Sequence, residues 1–130
     1  MREKACVLLV DDEPNLLKML VIRFELEGFE TLTAMDGEEA LKKARDEHPD
    51  LILLDLMLPK LDGYKVCTIL KKDPQCQDIP IVMFTARAQQ EDEKQGFACG
   101  ADAYVRKPFN GMELISQIRR LLSGVKHPGI

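Results

Sequence analysis

Short apolar segments alternate with longer amphipathic segments along the whole chain. The apolar segments cover residues 5–10, 30–34, 51–54, 79–84 and 103–106. Between them, apolar residues recur at helical spacing, as they do from Pro14, a favourable first residue of a helix, to Phe24. Strands that alternate with helices are typical of βαβ units in a parallel sheet. The pattern therefore predicts an α/β fold with five strands and five helices.

The composition of the strands indicates their positions in the sheet. The first, third and fourth segments contain the continuous apolar runs VLLV, LILL and IVMF, which are typical of central strands covered on both faces. The second segment, ETLTA, alternates, and the fifth, AYV, is short. We therefore expect the second and fifth strands at the edges. The helix over 88–99 is the weakest, because Phe97 is its only large apolar side chain, and we expect it to be mobile.

Three polar residues stand where helix N-caps are expected. Asp36 with Glu39, and Asn110 with Glu113, have capping-box spacing, and Asp62 precedes another amphipathic segment. These residues predict where three of the helices begin.

Length and charge narrow the possible classes of function. A chain of 130 residues fits one compact domain, which we place at residues 1–123, with 124–130 as a flexible tail or the start of a linker. The net charge of −4 argues against direct nucleic-acid binding. No segment suits a secretory signal or a membrane span, and the four cysteines lack metal-site or CxxC spacing. We therefore expect a cytoplasmic protein with reduced cysteines and no membrane association.

Polar residues follow the predicted strands at the edge where parallel sheets bind ligands. Asp11 and Asp12 follow the first strand and Asp55 the third, while Thr85 follows the fourth and Lys107 the fifth. Ligands of open parallel sheets bind beyond the carboxyl ends of the strands. A single acid there could be a helix cap, but three adjacent carboxylates repel one another unless a cation neutralises them. The spacing therefore predicts a cation site.

The expected cation is Mg²⁺, because the available ligands are oxygen atoms and no histidine or cysteine is near them in sequence. A carboxylate beside Mg²⁺ can attack phosphorus and form an aspartyl phosphate. Lys107 would then hold one phosphoryl oxygen, and the Thr85 hydroxyl would donate to another. These residues predict phosphoryl transfer.

The motifs VDDEP, LLDLMLPKLDG, IVMFTAR, GADAY and KPF occur in this order over about residues 5–122. In this combination the sequence resembles the receiver domain of bacterial two-component response regulators, the CheY-like family. The resemblance implies a doubly wound (βα)5 flavodoxin-like fold with strand order 2-1-3-4-5, in agreement with the expected edge strands. It also implies that the protein is a signalling switch rather than an enzyme. This switch is expected to assist its own phosphorylation and slow dephosphorylation.

The resemblance assigns roles to the residues around the predicted cation. Asp55 is implied to be the phosphoacceptor. Mg²⁺ is implied to bind Asp12 directly, Asp11 through water, Asp55, and the backbone carbonyl of Met57. Thr85 and Lys107 are implied to contact the phosphoryl group.

Three further residues are implied to control the phosphorylated state. Tyr104 is similar to the family's switch aromatic, which turns inward as the threonine moves. Met57 and Arg87 each lie two positions past a site residue, where the family controls the access of water to the acyl phosphate.

Three alternative functions are open. The chain could be the receiver fragment of a larger regulator, such as a transcription factor or an enzyme. A phosphatase of the haloacid dehalogenase type also uses an aspartate nucleophile and Mg²⁺, but it needs a second acid two residues later, where this chain has Met57. A receiver that works only as a docking module usually lacks one of the site residues, whereas this chain keeps them.

The resemblance also implies partners. The phosphodonor is expected to be a sensor histidine kinase or a phosphotransfer protein, or a small donor such as acetyl phosphate. A downstream target is expected to bind the face formed by the helix over 88–99, the fifth strand and the last helix. Tyr104, in the fifth strand, lies on this face.

Receivers of the OmpR/PhoB-like branch dimerise through that face by acid–base pairs. The corresponding pairs here, none of which is complementary, are Glu93 with Glu113, Gln117 with Asp102, and Gly124 with Ala103. Like charges that face each other across an interface oppose association, so we expect a monomer.

Overall fold

The computed structural model describes residues 4–85, 99–107 and 109–124. Five strands and four helices lie in these ranges. They are β1 (Cys6–Val10), α1 (Pro14–Leu26), β2 (Glu30–Ala34), α2 (Gly37–Glu47), β3 (Leu51–Asp55), α3 (Gly63–Lys72), β4 (Ile81–Thr85), β5 (Ala103–Arg106) and α4 (Gly111–Leu122).

The strands form one parallel sheet in the order β2-β1-β3-β4-β5. The predicted order and both edge strands are confirmed. All five residues of β1 and all five of β3 are buried, as their continuous apolar runs predict.

Helices cover both faces of the sheet. One core cluster packs α2 and α3 against residues such as Leu8, Ile52 and Met83, and the other packs α1 and α4 against their sheet neighbours Leu9 and Leu53. Successive strand residues point to opposite faces, so each central strand contributes to both clusters. The doubly wound fold is therefore confirmed.

The predicted helix starts agree with the structure. The carboxylate of Asp36 accepts the N–H of Glu39 at 2.8 Å, and the Glu39 carboxylate accepts the N–H of Met35 at 2.8 Å. Asp62 accepts the N–H of Lys65 at 3.0 Å. Asn110 caps α4 in the same way. These caps satisfy N–H groups that have no partner inside the helix.

Several predicted boundaries differ from the structure. The first strand begins at Cys6 rather than at residue 5, and the third ends at Asp55 rather than at residue 54. The fourth strand begins at Ile81 rather than at residue 79, because Pro80 has no N–H and the N–H of Ile79 donates to Cys76 O at 3.0 Å in a turn. Of the helix predicted over 88–99, residues 88–98 lie outside the described residues, and Cys99 belongs to a turn. The tail predicted over 124–130 is described only at Gly124 and stays a prediction.

No helix in the described ranges is long and apolar enough to cross a membrane.

Candidate functional site

Two buried carboxylates lie side by side at the carboxyl edge of the sheet. Asp55 is the last residue of β3, and Asp11 follows Val10, which pairs with Leu54. Asp11 is 1% exposed and Asp55 is 4% exposed, whereas the neighbouring Asp12 is exposed. One carboxylate oxygen from each of the three aspartates lies within 4.8 Å of the others. The predicted cluster of acids is therefore present.

Lys107 lies among these acids. Its Nζ donates to Asp11 Oδ2 at 2.7 Å and lies 3.6 Å from Asp55 Oδ2. The same Nζ is 4.5 Å from the ring centroid of Phe84, on the strand between β3 and β5. This arrangement corrects the expectation that only a bound cation neutralises the acids, because Lys107 already supplies one positive charge to the cluster.

Backbone N–H groups orient both buried carboxylates. The N–H of Glu13, at the start of α1, donates to Asp11 Oδ1 at 2.8 Å. The N–H of Met57 donates to Asp55 Oδ1 at 3.3 Å. Each carboxylate therefore has one oxygen held by the backbone and the other directed towards Lys107.

The pKa of Asp55 is raised to about 6, chiefly because burial disfavours its charged form. Lys107 opposes this rise, and the negative charges of Asp11 and Asp12 add to it. A divalent cation at this edge would favour the ionised carboxylate, so metal binding and the ionisation of Asp55 are coupled.

Gly63 is a site residue that the sequence reading missed. A Cβ at this position would lie 2.4 Å from the backbone oxygen of Asp55 and 2.8 Å from Leu56 Cα. The N–H of Gly63 donates to Leu56 O at 2.9 Å, so α3 begins directly against the chain that leaves β3. The glycine in the LDG motif is the signal for this close approach, which no residue with a Cβ permits without displacement.

The remaining predicted residues are placed to different extents. Thr85 is the last residue of β4, where its backbone pairs with Arg106. Tyr104 is half-buried in β5 and packs against the core on the α2 and α3 side. Met57 is 55% exposed beside the acids. Arg87 lies outside the described residues.

The donor set suits a hard divalent cation. The three clustered side chains offer only carboxylate oxygens, and the backbone carbonyl of Met57 belongs to the residue whose N–H contacts Asp55. Oxygen ligands of this kind are those that Mg²⁺ prefers in proteins. The acids therefore fit the expected metal.

A profile of the response regulator receiver domain matches residues 7–119. The chain belongs to this family. This finding confirms the resemblance noted in the sequence, and it makes the chain a signalling switch rather than an enzyme of the usual kind.

Two curated relatives are named as regulators of transcription. One is a probable transcriptional regulator, ycf27, of Cyanophora paradoxa, which is 47% identical over 125 residues that cover 96% of this chain and 51% of the relative. The other is the DNA-binding dual master transcriptional regulator RpaA of Synechocystis, which is 43% identical over 89% of this chain and 48% of the relative. The chain thus spans about half the length of these relatives. Their names do not support the expectation that nucleic-acid binding is absent.

Solved receiver domains have the same fold. A CheY-like receiver protein from Methanospirillum hungatei matches with a TM-score of 0.88 and 30% identity, and the match covers 94% of this chain and 96% of that one. The receiver domain of a sensor histidine kinase from Pseudomonas aeruginosa matches with a TM-score of 0.86 and 29% identity, over 92% of this chain and 98% of that one. That structure contains a magnesium ion coordinated in the active-site cleft.

Proposed function

We propose that this receiver domain accepts a phosphoryl group on Asp55 from a phosphohistidine of a sensor histidine kinase or phosphotransfer protein. One observation supports this most strongly: a buried aspartate at the end of a central strand lies among two further acids and a lysine. Because the chain belongs to the receiver family, whose members are signalling switches, we interpret this arrangement as a phosphoacceptor site.

The transfer requires positioning more than acid–base chemistry. A carboxylate oxygen of Asp55 attacks phosphorus, the P–N bond of the donor breaks, and its electron pair stays on the imidazole nitrogen. The product is an acyl phosphate on Asp55. Lys107, which lies 3.6 Å from Asp55 in the structure, would exchange part of its contact with the acids for a phosphoryl oxygen.

Asp11, Asp12, Asp55 and the carbonyl of Met57 are the proposed ligands of Mg²⁺. When bound, Mg²⁺ would offset the negative charge that gathers on the phosphoryl oxygens. The magnesium ion in the Pseudomonas aeruginosa receiver supports this choice of metal.

Thr85 and Tyr104 are the proposed switch. Their backbone positions are close, because Tyr104 pairs with Met83, two residues before Thr85. The hydroxyl of Thr85 would move to bind the phosphoryl group. This movement of Thr85 would draw the half-buried Tyr104 inward. Met57 and Arg87 would then limit the access of water to the acyl phosphate and slow its hydrolysis.

The surface of α1 supports a protein as the phosphodonor. Met19, Ile22 and Leu26 are 66%, 60% and 80% exposed and lie at helical spacing along one stripe. The helix begins at Pro14, two residues after Asp12, so a protein that covers the stripe and extends past the start of the helix would reach the edge that contains Asp55. An Ile22→Lys variant is expected to slow phosphorylation by a purified kinase that phosphorylates the parent, while its modification by acetyl phosphate is unchanged.

The output is proposed to be altered binding of a downstream partner on the face that contains β5 and α4. Since the chain spans half of relatives named as transcriptional regulators, it fits the receiver part of a longer regulator whose remaining half binds DNA.

We also propose a cytoplasmic location and a monomeric receiver. The receiver is proposed to be monomeric because Glu113, Gln117 and Gly124 lack complementary partners in the expected register.

The test is modification of the chain by acetyl phosphate with Mg²⁺, followed by intact-mass and peptide mass spectrometry. The parent is expected to gain one phosphoryl group on Asp55, and Asp55→Asn none. The matched control is Asp50→Asn at the opposite end of β3, where the amide oxygen can still accept the N–H of Cys6. Equal phosphate uptake by Asp55→Asn and the parent would exclude Asp55 as the acceptor.

A further inference from the structure

Two cysteines contact each other away from the phosphorylation site. Cys67 lies on α3 and is fully buried, while Cys99 lies in the turn at residues 99–102 and is partly buried. The Cys67 Sγ donates to the backbone oxygen of Cys99 at 3.6 Å. Both are free thiols. The pair is separated by 32 positions along the chain, so only folding brings it together.

A second residue of α3 holds the turn at residues 99–102 close to the helix. Lys71, one helical turn after Cys67, donates to Asp102 Oδ2 at 3.0 Å. A Cβ at Gly100 would lie 3.0 Å from Lys71 Cγ, and Gly100 has a φ of +98°. The contact between the thiols is therefore part of a packed junction between α3 and the chain that enters β5.

The environments of the two thiols are unequal. The pKa of Cys99 is lowered to about 7, first by a hydrogen bond with the Cys67 side chain. Burial opposes this shift, while the N–H of Ala101 and the positive charge of Lys71 add to it. The pKa of Cys67 is raised by the same hydrogen bond and by burial. Cys99 is thus the more nucleophilic thiol and has access to solvent, while Cys67 is placed to attack a modified Cys99.

We propose that Cys67 and Cys99 form a reversible disulfide that reports oxidation by hydroperoxides. The sulfur of Cys99 attacks the terminal peroxide oxygen, the O–O bond breaks, and a sulfenic acid forms on Cys99. The thiol proton goes to the leaving oxygen, which departs as an alcohol, or as water when the oxidant is hydrogen peroxide. The Cys67 sulfur then attacks the Cys99 sulfur and expels the sulfenic oxygen as water. Two thiols and one hydroperoxide give one disulfide, one alcohol and one water, and a dithiol reductant reverses the bond.

The disulfide would tie α3 to the segment that leads into β5. That strand contains Tyr104 and ends directly before Lys107, so oxidation would restrict the side of the domain that is proposed to transmit the signal. The assignment of the disulfide does not depend on phosphorylation of Asp55.

The test uses the full chain and hydrogen peroxide. After exposure, free thiols are alkylated under denaturing conditions, and peptides are analysed by mass spectrometry without reduction. We expect a cross-linked peptide pair containing Cys67 and Cys99, full alkylation of Cys6 and Cys76, and loss of the cross-link on treatment with dithiothreitol.

Variants make the result specific. Cys99→Ser alters a partly exposed position and is expected to fold and to lose the cross-link, while Cys76→Ala, which changes a buried thiol elsewhere, is expected to keep it. Circular dichroism checks the fold of each. Complete alkylation of Cys67 after exposure, over-oxidation of Cys99 alone, or a disulfide between two chains would each overturn the proposal.

Discussion

The two ends of the sheet use the same residue type in opposite ways. At the amino end, Asp50 accepts the N–H of Cys6 at 2.7 Å, and Asp102 accepts the N–H of Ile81 at 2.8 Å and a hydrogen bond from Lys71 at 3.0 Å. At the carboxyl end, Asp55 accepts one longer N–H bond of 3.3 Å and has two other acids as neighbours.

The difference follows from the direction of parallel strands. Their amino ends present backbone N–H groups, which a carboxylate can accept, and their carboxyl ends present carbonyl oxygens, which cannot donate. Acids at the amino end therefore link the starts of neighbouring strands. At the carboxyl end, Asp11 and Asp55 each accept one N–H from the chain that follows their own strand, not from a neighbouring strand. The burial and the mutual repulsion of these acids oppose folding, while their negative charge attracts a cation.

Asp55→Asn is expected to stabilise the metal-free protein above pH 6. The folded state binds the Asp55 proton more tightly than the unfolded chain does, so the free energy of unfolding of the parent falls as pH rises from about 4 to about 6 and stays low above that. The raised pKa, which already includes the attraction of Lys107, corresponds to a gain of at most about 3 kcal/mol.

Urea denaturation in EDTA at pH 7.5 and pH 4 measures this gain. The advantage of Asp55→Asn should nearly vanish at the lower pH, where the parent is protonated too. A variant less stable than the parent at pH 7.5 would show that Asp55 is a structural acid like those at the amino end.

Asp102→Ala is expected to have the opposite sign. The change leaves the N–H of Ile81 without its acceptor and takes an ion-pair partner from Lys71. Because the side chain of Asp102 is 37% exposed, water replaces part of this loss, and we expect destabilisation by about 1 to 2 kcal/mol. Thermal and urea denaturation measure it, with Asp102→Asn as the control that keeps an acceptor oxygen. Unchanged stability of Asp102→Ala would contradict a structural role for this acid at the amino end of the sheet.

The apparent affinity for Mg²⁺ is expected to depend on pH. Mg²⁺ binds the ionised form of Asp55, whose pKa is about 6 without metal. The affinity should be nearly constant above that pH and fall by up to about tenfold per pH unit below it. Calorimetric titration with MgCl₂ at pH 5, 6, 7 and 8 tests this prediction. An affinity independent of pH would show that metal binding does not require the ionised form of Asp55.

Asp50→Asn is expected to have the smallest effect. The asparagine oxygen can still accept the N–H of Cys6, and a neutral acceptor replaces a charged one at the start of β3. We expect a loss of about 0.5 kcal/mol or less, measured by urea denaturation beside Asp55→Asn. A stabilisation as large as that of Asp55→Asn would mean that neutralising any acid has the same effect.

Local patterns in the sequence predicted the strands, the two edge strands and the identity of the clustered acids, whereas the full sheet order was implied by the resemblance to receiver domains. Continuous apolar runs mark β1, β3 and β4 as central, and the ends of parallel strands meet at one edge. The ion pair between Lys107 and Asp11 depends instead on tertiary packing, which brings two side chains 96 positions apart together at the carboxyl edge of the sheet. The contact between Cys67 and Cys99 and the Lys71 junction likewise depend on the packing of α3, which periodicity alone does not specify.

The most direct test of the contrast between the two ends is the stability of the parent, Asp55→Asn and Asp102→Asn as a function of Mg²⁺ concentration at pH 7.5. A ligand that binds the folded state stabilises it by RT ln(1 + [L]/Kd). We predict that Mg²⁺ raises the unfolding free energy of the parent and of Asp102→Asn along the same curve, and that Asp55→Asn responds far less. An equal response of all three proteins, or none in the parent, would contradict the assignment of the carboxyl-end acids as a cation-dependent phosphoacceptor site.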